Sequence, residues 1–304
     1  MKRLITFWVE GYFYRPSRLQ KLLSFLLYPL SLLYCFAAWI RYVLSTPKDF
    51  GIPIVSVGNL TVGGSGKTPL VSALCALYEK PAIVLRGYGR DSKGLVVVRD
   101  ANGIACDISQ SGDEAMLYAQ TLSHAVVIVS EKRQSAIELA KLMGCEAVFL
   151  DDGYGKHSIQ KLDLVIDVET PNAFCLPSGP YRERLWSGKN VIMVDENRSF
   201  VRHVEVQNAT PKMALVTAIA RPQRLDPYLP KVVDKIYFED HHFFTREELE
   251  AILKQTGSSS LLVTQKDFVK IAPFNLPISL LELSLVLNPE LIDTVREYVH
   301  AKKD

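Results

Sequence analysis

The 304-residue chain has no Cys-x-x-Cys pair, no internal repeat and no low-complexity segment, and its net charge is only +2. Each absence removes a class of answer. Five scattered cysteines, Cys35, Cys75, Cys106, Cys145 and Cys175, match no zinc spacing and, being odd in number, suggest no disulfide framework. The expectation is a chain in a reducing compartment with neither a metal cluster nor a disulfide. The near-neutral total offers no footprint for nucleic acid. A further absence sits inside a glycine-rich turn, "VSVGNLTVGGSGKTPLV". The common phosphate-loop pattern G-x-x-x-x-G-K-[ST] would put its first glycine at position 61, which is Thr61.

What charge there is lies unevenly. Residues 1–48 carry seven basic side chains against Glu10 alone, a surplus of six that leaves the rest of the chain four negative. The same segment holds the longest apolar run, "LLSFLLYPLSLLYCFAAWI" from Leu22 to Ile40, with no charge in it. A spanning helix needs about 20 apolar residues, so the run is borderline, and Pro29 would kink it. A cleaved leader is disfavoured, because the lead-in is long and no clear small-residue cleavage site precedes the soluble part. A core helix is disfavoured because the run is apolar on every face. A single span and an interfacial helix with a basic collar both remain.

After residue 50, β-branched runs such as "IPIVSVG", "AIVLRGY", "GLVVVRD", "AVVIVS", "AVFLDDG" and "DLVIDV" alternate with helical patterns at 67–79, 112–122 and 131–143. Such alternation predicts βαβ units and a mostly parallel sheet. A Pro/Gly/Ser-rich loop, "TPNAFCLPSGPYRERLWSG", follows. Beyond it come strands at "KMALVTAI", "DKIYFED" and "SLLVTQKD" and helices near 245–256 and 289–301. The predicted fold is α/β: a P-loop kinase-like parallel sheet with helices on both faces, a smaller C-terminal α/β domain, and an N-terminal membrane-associated helix. The expected divisions are residues 1–50 for the membrane segment, 51–170 for the ATP-binding core, and 171–304 for a linker loop and the smaller domain.

A strand, a glycine turn and a helix start are the context that phosphate binding requires. Glycines let the backbone approach phosphate oxygens, and the helix N-terminus presents free N–H groups. "GGSGKT" fits the double-glycine variant x-G-G-x-G-K-[ST], so Gly63, Gly64, Ser65, Gly66, Lys67 and Thr68 are the candidate nucleotide loop. Asp151-Asp152 at the tip of an apolar strand suits Mg²⁺. Asp113-Glu114 opening a helix reads, by itself, as ordinary N-terminal helix charge. Arg86 and Tyr88 in "LRGYGR", and Arg182 in "YRER", suit an anion or a solvated turn equally. "EDHHFF" matches no zinc spacing; an acid–imidazole pair in proton transfer is the alternative to a plain loop.

In order, the basic apolar N-terminus, "VGNLTVGGSGKTPLV", "LRGYGR", "GDEA", "DDGY", "LPSGPYRE", "DHHFF" and "VTQKDFVK" resemble tetraacyldisaccharide 4′-kinase, the lipid A 4′-kinase, over almost the whole chain. The resemblance implies transfer of the γ-phosphate of ATP, with Mg²⁺, to the 4′-hydroxyl of a tetraacyl glucosamine disaccharide 1-phosphate, a lipid A precursor. It implies work among inner-membrane lipids at the cytoplasmic face. It implies Lys67 and Thr68 as loop residues and Asp113 as the catalytic aspartate with His241 as its partner. It implies Thr68, Glu114, Asp151 and Asp152 serving the metal and phosphates, and it matches Arg133, Arg182 and Glu183 to further functional positions; with Arg86 and Tyr88 these are the candidate substrate-binding residues. The family continues D-D-G-F-Q-H where this chain has Asp151-Asp152-Gly153-Tyr154-Gly155-Lys156-His157, so the glutamine has no counterpart. The alternative class is a membrane-bound P-loop ATPase of the partition type; Val62, where that class usually has a second lysine, argues against it.

Overall fold

The computed structural model describes residues 2–64 and 66–302. Three helices open the chain: α1 (Lys2–Tyr14), α2 (Arg18–Leu26) and α3 (Tyr28–Val43). The apolar run is therefore not one helix. It breaks at Leu27, where Pro29 falls in the first turn of α3, a position without an intrahelical N–H to lose. The pair is bent by 57°, and among the described residues no single helix is long and apolar enough to cross a membrane. Ser17 and Gln20 close a capping box that starts α2.

The first sheet is built from β1 (Ile54–Gly58), β2 (Ala82–Leu85), β3 (Val96–Asp100), β4 (Gly103–Ile104), β5 (Val126–Val129), β6 (Val148–Asp151), β7 (Leu162–Ile166) and β8 (Val191–Val194). Their order is β4-β3-β5-β2-β6-β1-β7-β8, parallel except that β3 runs antiparallel to both of its neighbours, β5 and β4. Its helices are α4 (Lys67–Cys75), α5 (Ile108–Ser111), α6 (Asp113–Thr121) and α7 (Arg133–Leu142). β1 is buried at all five residues. Its alternate side chains enter different cores: Val55 and Val57 pack with Leu70 and Leu74 of α4, whereas Ile54 packs with Ala136 and Ile137 of α7. Two buried faces explain why the strand reads as an apolar run rather than an alternating one.

The second sheet contains β9 (Phe200–Gln207), β10 (Met213–Thr217), β11 (Asp234–Tyr237), β12 (Ser260–Thr264) and β13 (Ile278–Leu287), in the order β11-β10-β12-β13-β9. It carries α8 (Arg246–Thr256) and α9 (Gln265–Ile271). The run "SLLVTQKD", expected to be a strand, turns into α9 at Gln265, because Thr264 caps that helix through the Asp267 N–H. A long antiparallel ribbon, β9 with β13, leads to α10 (Pro289–Ala301). That helix packs Leu291, Val295 and Val299 into the core of the first sheet.

The expectation of no disulfide is corrected: Cys35 of α3 and Cys175 are joined, with Cα atoms 6.0 Å apart. They are 140 residues apart in sequence, so no spacing rule could have paired them. Packing of α3 on the 170–187 loop brings them together. Ser31 of α3 accepts from the Ser178 N–H at 2.9 Å, and Tyr28 stacks near Phe174.

Candidate active site

Parallel pairing of β1 with β6 places Asp151 beside Val57. The strand that delivers the glycine loop and the strand that delivers the acidic pair therefore end side by side, at the carboxyl edge where open parallel sheets bind ligands. Gly63 and Gly66 stand at φ +90° and +81°, conformations that side chains rarely adopt. Thr61 is no obstacle, since it lies before the turn, buried and bridged to Tyr181. Ser65 lies outside the described residues.

Gly63, Gly64, Gly66, Lys67 and Thr68 line a cavity of about 260 Å³ together with Glu114, Asp151, Asp152, Asp240 and Lys266, and Arg86, Tyr88 and Arg133 line it as well. Lys67 Nζ lies 3.5 Å from Asp152 and 3.3 Å from the Asn59 side-chain oxygen. Arg182 binds the same Asp152 and donates to Asn59 at 3.1 Å. Burial pushes the Asp152 carboxyl up, but Lys67 and Arg182 outweigh it and hold the group below its ordinary value. Asp151 differs. Burial, then the charge of Glu114, pushes it up to about 7. Tyr118 donates to its Oδ2 at 2.9 Å, while Oδ1 is buried without a hydrogen-bond partner among the described residues. Two adjacent carboxylates thus carry different protonation tendencies: at Asp152 Lys67 and Arg182 outweigh burial, whereas at Asp151 burial and the Glu114 charge outweigh Lys67.

Asp113 and His241 are 128 residues apart in sequence, yet His241 Nδ1 lies 2.8 and 2.9 Å from the two carboxylate oxygens. α6 supplies the aspartate. The turn after β11 supplies the histidine, with its backbone at φ +63° and its N–H on Ala218. That conformation is uncommon for a residue with a side chain and is concentrated at functional sites. Asp113 is 4% exposed. Burial raises its pKa, but the His241 hydrogen bond, with Lys266 and Lys270 nearby, leaves it net lowered, so the group is ionised at neutral pH. The same hydrogen bond raises the imidazole above its ordinary value.

Lys266, to which sequence reasoning gave no role, lies 3.7 Å from Asp113, 3.5 Å from Glu114 and 3.4 Å from Asp240. Burial works against its charge; Glu114, Asp113 and Asp240 overcome that and raise its pKa. Its only sequence signal was membership in the quoted "VTQKD" run, at the start of a short helix that looked like strand. Asn59 and Tyr118 were also missed, since a lone amide and a core tyrosine carry no pattern. His242, the other half of the histidine pair, instead faces Glu248 at 3.1 Å.

The acceptor candidates lie in a second cavity of about 240 Å³ on the α3 side, lined by Arg86, Tyr88, Arg133, Arg182 and Glu183 together with Tyr34 and Arg41. Glu183 binds Arg41 and lies 3.3 Å from His157. A third chamber, about 610 Å³ and mainly apolar, opens between α4 and the β9–β13 ribbon, with Thr68 and Lys266 at its mouth.

The chain matches the family LpxK, Tetraacyldisaccharide-1-P 4′-kinase, over residues 23–300. It is 45% identical to the tetraacyldisaccharide 4′-kinase of Helicobacter pylori strain ATCC 700392 / 26695 over 96% of this chain and 94% of that one. It is 41% identical to the tetraacyldisaccharide 4′-kinase of Aliarcobacter butzleri strain RM4018 over the full length of both. A solved structure of LpxK from Aquifex aeolicus in complex with ATP shares the fold, with a TM-score of 0.71 at 24% identity, covering 93% of this chain and all of that one. On this match and this identity, the chain belongs to the tetraacyldisaccharide 4′-kinase family.

Proposed function

We propose that the chain moves the γ-phosphate of ATP to the 4′-hydroxyl of a tetraacyl glucosamine disaccharide 1-phosphate in lipid A biosynthesis. The observation that carries the reading is one cavity lined by Lys67, Asp151 and Lys266, with Lys266 3.7 Å from the Asp113 of the Asp113–His241 pair. Family membership favours this acceptor chemistry over the partition-type ATPase.

Phosphoryl transfer asks a protein mainly for positioning and charge neutralisation. The loop amides and Lys67 receive the β- and γ-phosphates, and the base extends past Thr68 into the apolar chamber. Asp113 takes the proton of the attacking hydroxyl, with His241 fixing the carboxylate from behind. Mg²⁺ fits the residues present: Thr68, Glu114, Asp151 and Asp152 offer hard oxygen donors, and the buried Asp151 Oδ1 has no hydrogen-bond partner among the described residues. Among the described residues no three acidic or metal-binding side chains form a cage by themselves. That suits a cation that keeps waters and shares its ligands with phosphates. When bound, the metal neutralises charge on the transferring phosphoryl group.

The acyl chains account for the N-terminal helices. Leu22, Phe25, Leu26, Leu33, Phe36 and Leu44 are each more than half exposed on α2, α3 and the residue after them, and basic residues flank the run. Exposing a lipid chain to water costs about 0.8 kcal/mol per CH₂, so an enzyme that lies on the bilayer avoids extraction. The 57° bend between α2 and α3 is compatible with this surface mode, and the need for ATP supports the cytoplasmic face of the inner membrane. Labelled ATP and the lipid acceptor test the function: label in lipid supports the kinase, and label in inorganic phosphate alone overturns it.

A further inference from the structure

α1 lies ahead of the family match, which begins at residue 23, and the function described above gives its side chains no task. Its C-terminal end nevertheless touches the phosphate loop. Tyr14 donates its hydroxyl to the carbonyl of Val62, the residue just before the two glycines. From the turn after β10, Arg224 donates to the Gly64 carbonyl. The same turn packs on both glycines. A Cβ at Gly63 would lie 3.6 Å from Arg221 Cδ and 3.8 Å from the Tyr14 hydroxyl, and one at Gly64 would lie 3.5 Å from the Ala220 Cβ. The Gly63–Gly64 turn is therefore held between α1 and the second sheet.

These hydrogen bonds fall on carbonyls, and that decides what they do. A trans peptide points its C=O and its N–H in opposite directions. A phosphate loop works only when its N–H groups face the anion, so its carbonyls must face away and find donors there. Tyr14 and Arg224 are such donors for Val62 and Gly64, the residues on either side of Gly63. With the Val62 carbonyl turned to Tyr14, the Gly63 N–H of the same peptide turns the other way, and Gly63 lines the 260 Å³ cavity. Glycine backbones reorient at little cost, since both halves of φ space are open to them. A carbonyl turned inward would set its negative end against the phosphates.

The clamp is itself supported. The Arg221 guanidinium sits 3.7 Å from the Tyr14 ring centre, a cation–π contact that fixes the ring. Arg221 Nη1 is buried without a hydrogen-bond partner among the described residues. Its backbone stands at φ +56° and ψ +58° immediately before Pro222. A side chain disfavours that left-handed conformation, and a following proline favours an extended one. Such strain persists only where the surroundings hold it; here it delivers the guanidinium onto Tyr14. Glu10, the one acidic residue among the first 48, lies a turn before Tyr14 on α1. Burial raises its carboxyl, and the charge of Arg221 partly offsets that rise.

We propose that Tyr14, held by Arg221, and Arg224 are positioning residues for the phosphate loop: they turn its carbonyls outward, which makes α1 part of the nucleotide site as well as of the lipid-facing segment. This rests on the ATP-binding half of the kinase reading.

The test uses full-length enzyme in mixed micelles and a fluorescent ATP analogue, first without acceptor. Tyr14→Phe keeps the ring beneath Arg221 and removes only the hydroxyl. It is expected to weaken analogue binding about fivefold, the scale of one neutral hydrogen bond. The KM for ATP rises by a similar factor, while the KM for the lipid acceptor and flotation with anionic vesicles hold. Arg221→Ala, which frees the ring, weakens binding about two- to threefold, and Arg221→Lys restores most of it. Unchanged analogue affinity in Tyr14→Phe overturns the proposal. So does a loss confined to acceptor KM or to flotation, which would make Tyr14 a membrane contact. A lowered Tm with analogue affinity intact also overturns it, since the hydroxyl would then serve packing alone. If Tyr14→Phe weakens binding as expected and no label reaches lipid even with wild type, the clamp stands and the transfer reading falls. If label reaches lipid and Tyr14→Phe binds the analogue like wild type, the transfer reading stands and the clamp falls.

Discussion

Replacing His241 by alanine removes the partner that touches both oxygens of the Asp113 carboxylate, at 2.8 and 2.9 Å. The aspartate is 4% exposed, so water does not readily replace the imidazole. Lys266 at 3.7 Å and Lys270 at 3.9 Å remain to keep it ionised, but both stand beyond hydrogen-bond range of its oxygens. The loss is therefore of orientation more than of charge. A hydrogen bond to a charged group is worth about 1.5–3 kcal/mol, and each 1.36 kcal/mol is about tenfold in rate. The expected fall in kcat is thus on the order of 10- to 150-fold. Asp113→Ala, which removes the proton acceptor itself, belongs in the roughly 10²–10⁴ range of general-base loss. Because the two residues act as a unit, the double variant should be no slower than Asp113→Ala alone. Single-turnover transfer of label to the lipid acceptor gives the rates. Binding of a fluorescent ATP analogue, expected to change less than about twofold, shows that the loop is intact. His241→Ala retaining more than about a third of kcat, or effects of the two substitutions that multiply, would refute the coupling of this pair.

Three further outcomes follow from the same geometry. Asp163, 1% exposed, neutralises both Lys161 at 3.2 Å and Lys189 at 2.8 Å; Asp163→Ala leaves two buried ammoniums facing each other and should cost about 3–5 kcal/mol in urea unfolding, whereas an unchanged midpoint would show that water reaches them. The folded-state pKa of His241 is raised, so its pair with Asp113 contributes stability that is fully present below the ordinary histidine pKa and lost as pH rises through the raised value. The Tm difference between wild type and His241→Ala should accordingly be larger at pH 6 than at pH 9, and an equal difference at both would contradict the assignment. Leu33 and Phe36 are 65% and 57% exposed on α3, and replacing both with aspartate should release protein from anionic vesicles in a flotation assay while ATP-analogue binding persists; a double variant that floats like wild type would show that other contacts hold the membrane.

The two layers of the candidate site differed in how far they could be read beforehand. The nucleotide layer is local: β1, its glycine turn and the Lys67–Thr68 helix start are one continuous run whose hydrogen-bonding needs are met within about fifteen residues, so its chemistry was legible from residue types alone. The Asp151–Asp152 tip was legible for the same reason. The Asp113–His241 pair was not, since an acid at a helix start and a histidine in a turn are each ordinary. Resemblance alone united them, and the geometry now gives the physical contact. Lys266 escaped because the strand reading was carried through "SLLVTQKD", and the Thr264 cap is what marks the change from β12 to α9. The β9–β13 ribbon escaped because its one-sided burial gives a weak, alternating pattern over a long span. The Cys35–Cys175 bond escaped because nothing short of packing α3 on the 170–187 loop relates the two positions.

By itself, the order of apolar runs and glycine turns determined the parallel sheet, the phosphate loop and a greasy basic N-terminus, because these follow from backbone sterics, hydrogen-bond satisfaction and local hydrophobicity. The tertiary structure decided which charges meet. It set His241 on Asp113, Lys67 and Arg182 on Asp152, and, among the described residues, left Asp151 Oδ1 and Arg133 Nε without a hydrogen-bond partner. Pairing of that kind depends on burial and on distances of a few ångströms between residues more than a hundred positions apart, and a linear pattern carries neither.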